Sequence, residues 1–468
     1  MILIIEQNNK QKKGRCKLKK NQFEKKKFNL LKQEKGITLI ALVITIIVLL
    51  ILAGVSISAL TGDSSILGNA KNTVHIYNNR VEQSDTKISN LEQKLNNFIN
   101  GNIEVPGGQN PDLEEGTPLI TTATNYQSTT KTFVDSLDNE IVVPGGFKVR
   151  TDFATTADKG IVIEDSSGNQ FVWVPIGTIT KSDNTTVNIE FGRYSDFSLT
   201  ATPAQYASEG RWNALTTIGT YFSEVTTYRT STYASRLEES NATAKDLATF
   251  ISNALDNGGY YLARYEASFG SGDQISSVTN GSTSAGSAGI TNQKPSFKQS
   301  TSASSSGEIG IGTITSTPGM LWNFIRQGDA SLACQNLYEG NEYNGQDFVE
   351  CDLVNSYAWD TAIMFIQKCS DKTDYANQSN YNGTLYNTGT DTGKTTDKAC
   401  NIYDMAGNLT EWTTESSSRV NWNQMTCVYR GGCYCTSFWT AGREGDYASY
   451  ASYDRGFRAV LDCAAPTV

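Results

Sequence analysis

The chain's hydrophobic pattern changes regime three times. Residues 37–60 read ITLIALVITIIVLLILAGVSISAL, 24 positions without an ionisable side chain. A helix of about 20 residues, rising 1.5 Å per residue, spans the hydrocarbon core of a bilayer. The polar members of the run are Thr38, Thr45, Ser56 and Ser58, too few to form the polar face of a globular helix. The pattern predicts a membrane helix over residues 37–61. A seven-residue period follows. Leu67, Val74, Val81, Ile88 and Leu95 form one series; Ala70, Tyr77, Ser84, Leu91 and Phe98 form the second. This a/d patterning predicts a helical stalk over residues 62–100, which either self-associates or packs on its own head domain. Gly68 and the asparagines weaken the coiled-coil reading.

The third regime is mixed. Residues 101–138 carry Gly101, Pro106, Gly107, Gly108, Pro111 and Pro118 among many threonines, and read as a linker. The head then covers residues 139–463, with a tail at 464–468. Gln170–Pro175 (QFVWVP) is β-branched and aromatic and predicts a strand ended by Pro175. Residues 244–256 place Leu247, Phe250, Ile251, Ala254 and Leu255 on one helical face, with Gly258 and Gly259 after the end. Tyr260–Glu266 reads as a strand. Residues 357–369 read as a second amphipathic helix, with Ser356 as its cap and Trp359, Ile363 and Ile366 inward. Residues 270–316 and 371–399 are rich in Ser, Gly, Thr and Asn and read as surface excursions. The fold class is α+β with much irregular structure.

Charge gives the chain a direction. Residues 1–36 hold eleven Lys and one Arg against three Glu, a net charge of +9. A basic block before an apolar segment stays on the cytoplasmic side, so the head faces outward. The remaining residues hold 27 basic and 45 acidic side chains, a net charge of −18. Such a surface repels phosphates, so no nucleic-acid partner is expected.

The junction before the apolar run reads Lys35-Gly36-Ile37-Thr38-Leu39-Ile40. It resembles a type IV prepilin leader, in which a prepilin peptidase cuts after the Gly. The resemblance implies cleavage between Gly36 and Ile37, an anchoring pilin-like helix, and other pilin-like subunits as partners. The family usually has Glu at the fifth mature position, where this chain has Ala41. That departure bears on filament assembly and not on anchoring. An uncut membrane anchor is the alternative. Either way the expected location is a bacterial cytoplasmic membrane, crossed once, with the N-terminus inside.

Three stretches of the head carry a second resemblance: Gly259–Glu266 (GYYLARYE), Asn401–Trp412 (NIYDMAGNLTEW), and Tyr429–Gly432 (YRGG) closed by Gly456–Arg458 (GFR). Together they resemble the formylglycine-generating-enzyme (sulfatase-modifying factor) family, a branch of the C-type-lectin-like fold. Enzymes of that family oxidise a substrate cysteine with copper held by two cysteines, at the fourth and ninth residues after the second Gly of Arg-Gly-Gly. Here those positions are Thr436 and Ala441, so neither copper nor catalysis is expected. The neighbouring Cys433 and Cys435 read as ordinary cysteines of a surface loop, with a soft-metal pair as the lesser alternative. The resemblance also implies a calcium ion on the turn before Glu-Trp, held by Asp404, Gly407, Leu409 and Glu411. Oxygens presented around a Gly turn suit a hard cation. A capped turn without metal is the other reading.

Other catalytic sets fail on composition. The single His is His75, on the stalk, which removes triads and His-rich zinc sites from the head. No phosphate loop of Walker type occurs. Nine cysteines are present; with Cys16 in the leader, eight lie outside, and their spacing fixes no pairing.

Residues 433–455 read CYCTSFWTAGREGDYASYASYDR, a mixture of aromatic and small polar residues like that of an antibody paratope. Tyr434, Phe438, Trp439, Arg443, Asp446, Tyr447, Tyr450 and Tyr453 are the candidate ligand-binding surface. Some of these aromatics, Phe438 or Trp439, could instead fill the fold's own core. The position, between Arg-Gly-Gly and Gly-Phe-Arg, resembles the rewritten segment of diversity-generating retroelement variable proteins. Tyr, Ser and Asp at 434, 446, 447, 449, 450, 452 and 453 are residue types that such rewriting yields. The expected function is a cell-surface or pilus-associated display protein whose head binds an extracellular protein or glycan. An extracellular enzyme of the formylglycine-generating type and a structural pilin-like subunit are the alternatives.

Overall fold

The computed structural model describes residues 117–204, 222–224, 247–270, 294–304, 317–338, 348–379, 391–394, 396–417, 427–435, 438–447 and 450–463. The leader with its Gly36–Ile37 junction, the apolar helix and the heptad stalk lie outside the described residues. Among the described residues no helix is long and apolar enough to cross a membrane.

Two sheets organise the head. Their strands are β1 (Lys148–Val149), β2 (Val162–Glu164), β3 (Gln170–Pro175), β4 (Phe222–Glu224), β5 (Gly259–Ala263), β6 (Val349–Leu353), β7 (Thr410–Ser417), β8 (Cys427–Arg430), β9 (Arg443–Asp446), β10 (Arg455–Phe457) and β11 (Ala459–Cys463). The larger sheet is antiparallel, in the order β6-β11-β5-β3-β2-β1. The smaller runs β9-β8-β7-β10, with β10 parallel to β7 and β4 pairing the far end of β7.

Strands β3 and β5 are wholly buried, which explains their near-continuous apolar sequences. Successive side chains of a strand point to opposite faces. Accordingly Phe171, Trp173, Tyr261, Ala263 and Leu461 enter one core, and Val172, Val174, Tyr260, Leu262 and Val460 enter the other. The second core is closed by α1 (Leu247–Asp256), through Leu247, Phe250 and Ile251, and by α3 (Ser356–Cys369), through Trp359, Ile363 and Ile366. The first core takes Trp412 and Phe457 from the smaller sheet, and Ala330, Ala333 and Cys334 from α2 (Gln327–Gln335).

Several boundaries differ from those read in the sequence. Residues 117–138, expected as linker, pack with the head: Ile120 and Phe133 are buried, and Lys131–Val134 pairs with Glu140–Val143. The Thr-rich composition hides one short apolar strand. Within the expected excursion of residues 270–316, Pro295–Ser296 pairs with Ser268–Phe269 and Phe297 fills the core. Within 371–399, Tyr375 and Asp397 are buried. Helix α3 is capped by Asn355, whose side chain accepts from Ala358 N at 3.0 Å, so Ser356 is its first turn and not its cap. Helix α2 has no counterpart in the sequence reading; its sequence, QGDASLACQ, holds one large aliphatic residue.

Candidate functional site

The stretches that carry the family resemblance converge on β7, a strand of mostly polar residues buried along its whole length. In strand register Glu411 lies opposite Arg430 on β8 and Gly456 on β10; Trp412 lies opposite Tyr429 and Phe457. A polar strand inside a core requires a partner for every group. Thr410 Oγ1 donates to Asp454 O at 2.7 Å and Thr413 Oγ1 to Val428 O at 3.2 Å. The two glutamates of β7 each take arginines.

Glu415 and Asp360, the latter from α3, share three guanidinium groups. Arg430 donates to Asp360 at 2.6 Å and to Glu415 at 3.1 Å. Arg443 pairs with Asp360 and reaches Glu415 at 3.0 Å, and Arg193 reaches Glu415 at 2.8 Å. Burial alone would raise Glu415, but Arg443, Arg430 and Arg193 outweigh it and hold the carboxyl at about 2. Arg430 is the Arg of Arg-Gly-Gly. The two glycines after it admit a close backbone approach. Gly431 has φ +76°, and a Cβ there would stand 2.7 Å from Met405 O; one on Gly432 would stand 2.7 Å from Ala406 O.

The second cluster joins Glu411 to Arg458, the Arg of Gly-Phe-Arg. Nη2 and Nε of Arg458 lie 2.7 and 2.9 Å from the two oxygens of Glu411. Nη1 donates to Ala263 O at 2.8 Å, and Nη2 to Tyr403 O at 2.7 Å. Glu266 accepts from Leu409 N at 2.9 Å and from the Asn408 amide. Burial pushes Glu266 well above the usual carboxylate range, and Asp404 and Glu411 add to the push. Burial also raises Glu411, against the opposing pull of Arg458.

This geometry bears on the expected calcium turn. Asp404 Oδ2 accepts from Thr392 Oγ1 at 2.7 Å and from Gly393 N at 3.1 Å. Both oxygens of Glu411 carry a guanidinium. In this arrangement an ion held by Asp404, Gly407, Leu409 and Glu411 would share the Glu411 carboxylate with Arg458 or displace it.

The candidate ligand-binding residues divide into two sets. Tyr434, Asp446 and Tyr453 are buried. Asp446 pairs with Arg455 at 3.2 Å, and the rings of Tyr434 and Tyr453 lie 6.4 Å apart. Arg443 spends its guanidinium on Asp360 and Glu415. These four serve inside the domain; a ligand surface would have to be built without them. The other four reach solvent. Trp439 is 57% exposed, the most exposed large hydrophobic side chain among the described residues. Its neighbours are held: Thr440 N and Oγ1 both donate to Gln378 O, at 3.0 and 3.1 Å, and Trp359 Nε1 donates to Thr440 O at 3.0 Å. Phe438 is half-buried, its ring 6.2 Å from that of Tyr429. Tyr447 and Tyr450 are also half-buried, joined by a Tyr450 N to Tyr447 O bond of 2.9 Å.

Cys433 and Cys435, expected on a surface loop, are buried at 0% and 2% exposure. A hydrogen bond with Cys433, followed by burial, pushes the Cys435 thiol far above its usual value. Thr436 and Ser449 lie outside the described residues. Ala441 N donates to Ala376 O at 3.0 Å. A separate cleft of about 620 Å³ is lined by Asp158, Lys159, Lys181, Cys369, Lys398 and Cys400, among others.

Sequence reading missed the roles of Asp360, Glu415, Arg193 and Glu266. One signal was available: Glu411, Thr413 and Glu415 share one face of a strand, at a spacing of two.

Residues 331–463 match the family model described as sulfatase-modifying factor enzyme 1-like domain, and the described residues form a mixed fold of mostly strands and few helices. The matched stretch starts in α2 and ends with β11, so the Gly259–Glu266 stretch, which contains β5, lies before it. Among solved structures, the chain is similar to three in particular. For CarF the identity is 14%, covering 44% of this chain and 87% of that one, at a TM-score of 0.29. For Treponema denticola variable protein 1 it is 13%, covering 44% and 95%, at 0.24. For PvdO from Pseudomonas aeruginosa it is 12%, covering 64% and 97%, at 0.30. No curated protein sequence matches the chain.

Proposed function

We propose that this chain is a non-catalytic display protein whose lectin-like head binds an extracellular protein or glycan through the segment between Arg-Gly-Gly and Gly-Phe-Arg. In this reading residues 37–61 hold the chain in a bacterial cytoplasmic membrane with the head outside. A prepilin peptidase cuts between Gly36 and Ile37, and pilin-like subunits are the neighbours in the membrane or on a filament. The observation that carries the proposal is Trp439. An indole 57% exposed, beside a threonine pinned by backbone bonds, is a rigid aromatic presented to solvent. Such side chains are enriched among binding hot spots because they offer contact area at little entropic cost. Phe438, Tyr447 and Tyr450, half-exposed in the same segment, are the further candidate contacts. Ala441, at a position where the resemblance places a copper cysteine, supports a binding role over an oxidative one.

The test uses the full-length chain in detergent on protein and glycan arrays. Trp439→Ala, Tyr447→Ala and Tyr450→Ala together are expected to lower binding at least tenfold with the melting temperature preserved. Undiminished binding by the triple variant would place the ligand elsewhere. Mass spectrometry of the membrane-extracted chain checks the leader: an N-terminus at Ile37 is expected, and one retaining residues before Gly36 would overturn the cleavage.

A further inference from the structure

Among the described residues one group of metal-ligating side chains converges: Cys433, Cys435 and Asp454, all buried, with their ligand atoms within 4.8 Å of one another. We propose that these three residues bind a divalent thiophilic ion of the zinc type, which ties the start of the recognition segment to its end. The site stands whether or not that segment binds a ligand.

Three observations carry it. The first is distance. Zn–S bonds of about 2.3 Å and Zn–O bonds of about 2.0 Å give a tetrahedral S···O edge of about 3.5 Å and an S···S edge of about 3.8 Å. Cys435 Sγ lies 3.6 Å from Asp454 Oδ2, and the sulfurs need close by about 1 Å at most. The second is an unmet acceptor. Asp454 Oδ1 is buried without a hydrogen-bond partner, although the residue is only 8% exposed. A buried carboxylate oxygen without a donor is costly, and an ion held by both Asp454 oxygens would meet Oδ1 while Oδ2 stays within reach of Cys435. The third is the backbone. Cys435 N donates to Cys433 Sγ at 3.3 Å, a bond stronger to a thiolate than to a thiol.

Charge balance agrees. Arg455 pairs with Asp454 at 2.6 Å and with Asp446 at 3.2 Å. Exchanging two thiol protons, released to solvent, for one divalent cation leaves the charge of this buried group unchanged. The mixed donor set favours a borderline ion over Cu(I), which prefers sulfur alone. The fourth position falls to water. Cys433 directly follows Arg-Gly-Gly and Asp454 directly precedes Arg455-Gly456-Phe457-Arg458, so the ion would cross-link the base of residues 436–453.

The test is elemental analysis and cobalt substitution on the full-length chain, purified in detergent with reductant and without a histidine tag. About one equivalent of zinc per chain is expected, and Co2+ should give an intense near-ultraviolet thiolate charge-transfer band. Cys433→Ser and Cys435→Ser should lose both signals, and Asp454→Asn should weaken zinc binding about tenfold or more. Cys351→Ser, a buried cysteine elsewhere, should retain them. Because core cysteine variants can misfold, alkylation of the wild type supplies a second readout: Cys433 and Cys435 should be protected until a chelator is added. Absence of zinc from reduced wild type, equal labelling with and without chelator, or a Cys433–Cys435 disulfide in chain isolated without reductant would each overturn the proposal.

Discussion

Strand β7 and the segment at residues 433–455 are neighbours in the fold and opposites in construction. Thr410–Ser417 is polar in sequence yet buried throughout, each charge met by a named partner. The later segment is aromatic in sequence yet leaves Trp439 exposed and Phe438, Tyr447 and Tyr450 half-exposed. The usual expectation, polar outside and apolar inside, is reversed along β7 and at these four aromatics. A buried ion network fixes one arrangement because every alternative strands a charge. Exposed aromatics contribute little to folding and are available for contact. The contrast separates the residues that build the platform from those the platform presents.

The largest effect is expected at the platform. Arg430→Met removes the guanidinium shared by Asp360 and Glu415, leaving buried carboxylates underpaired, and should cost about 3–5 kcal/mol by denaturant unfolding. A loss below about 1 kcal/mol would show that Arg443 and Arg193 suffice. Gly431→Ala should cost about 1–3 kcal/mol, since its φ of +76° and the Met405 carbonyl both oppose a Cβ. An unchanged denaturant midpoint would mean the two backbones can part freely.

Acidity separates the two arginine clusters. Glu415 is held at about 2 against an ordinary 4.5, so the unfolded chain takes up this proton first as pH falls. Its contribution is complete above about pH 4.5 and lost towards 2. Glu266 and Glu411 are pushed above 4.5, so the folded chain binds their protons first, and stability grows as pH falls towards 4.5. Urea midpoints should therefore rise from pH 7 towards about 4.5 and fall below it. A monotonic fall from pH 7 would contradict the account of the Glu411 cluster.

These clusters also show what the sequence could convey. The apolar run of β3 and the apolar faces of α1 and α3 were legible, because the hydrophobic pattern reports which sides of an element are covered. The Asn-Ile-Tyr-Asp, Arg-Gly-Gly and Gly-Phe-Arg stretches were legible as a family pattern, and the structure brings them together. Their partners were not. Arg193 meets Glu415, 222 residues away in sequence, and only the closed fold shows that contact. The surface reading of Tyr434, Arg443, Asp446 and Tyr453 failed for a related reason. Composition marks a segment as rich in contact residues, but it does not say which of them turn inward. Cys433 and Cys435, a soft-metal pair only as the lesser alternative in sequence, gain a third donor because Asp454 closes on them.

Smaller effects sharpen the comparison from the surface side. Trp439→Ala should change stability by no more than about 0.5 kcal/mol, as expected for a side chain away from the core. A loss above about 2 kcal/mol would make Trp439 part of the platform. Saturating Ca2+ added to metal-free protein should leave the melting temperature unchanged, because Arg458 already holds Glu411. An upward shift would show preferential binding to the folded state and restore the calcium turn.

The most direct measurement is equilibrium binding of the full-length chain to its best array ligand, before and after Trp439→Ala, with thermal unfolding recorded on the same samples. A loss of about 2 kcal/mol or more in binding at an unchanged melting temperature is the predicted result. Unchanged affinity, or a binding loss that tracks unfolding, would contradict the division between a buried platform and a presented recognition surface.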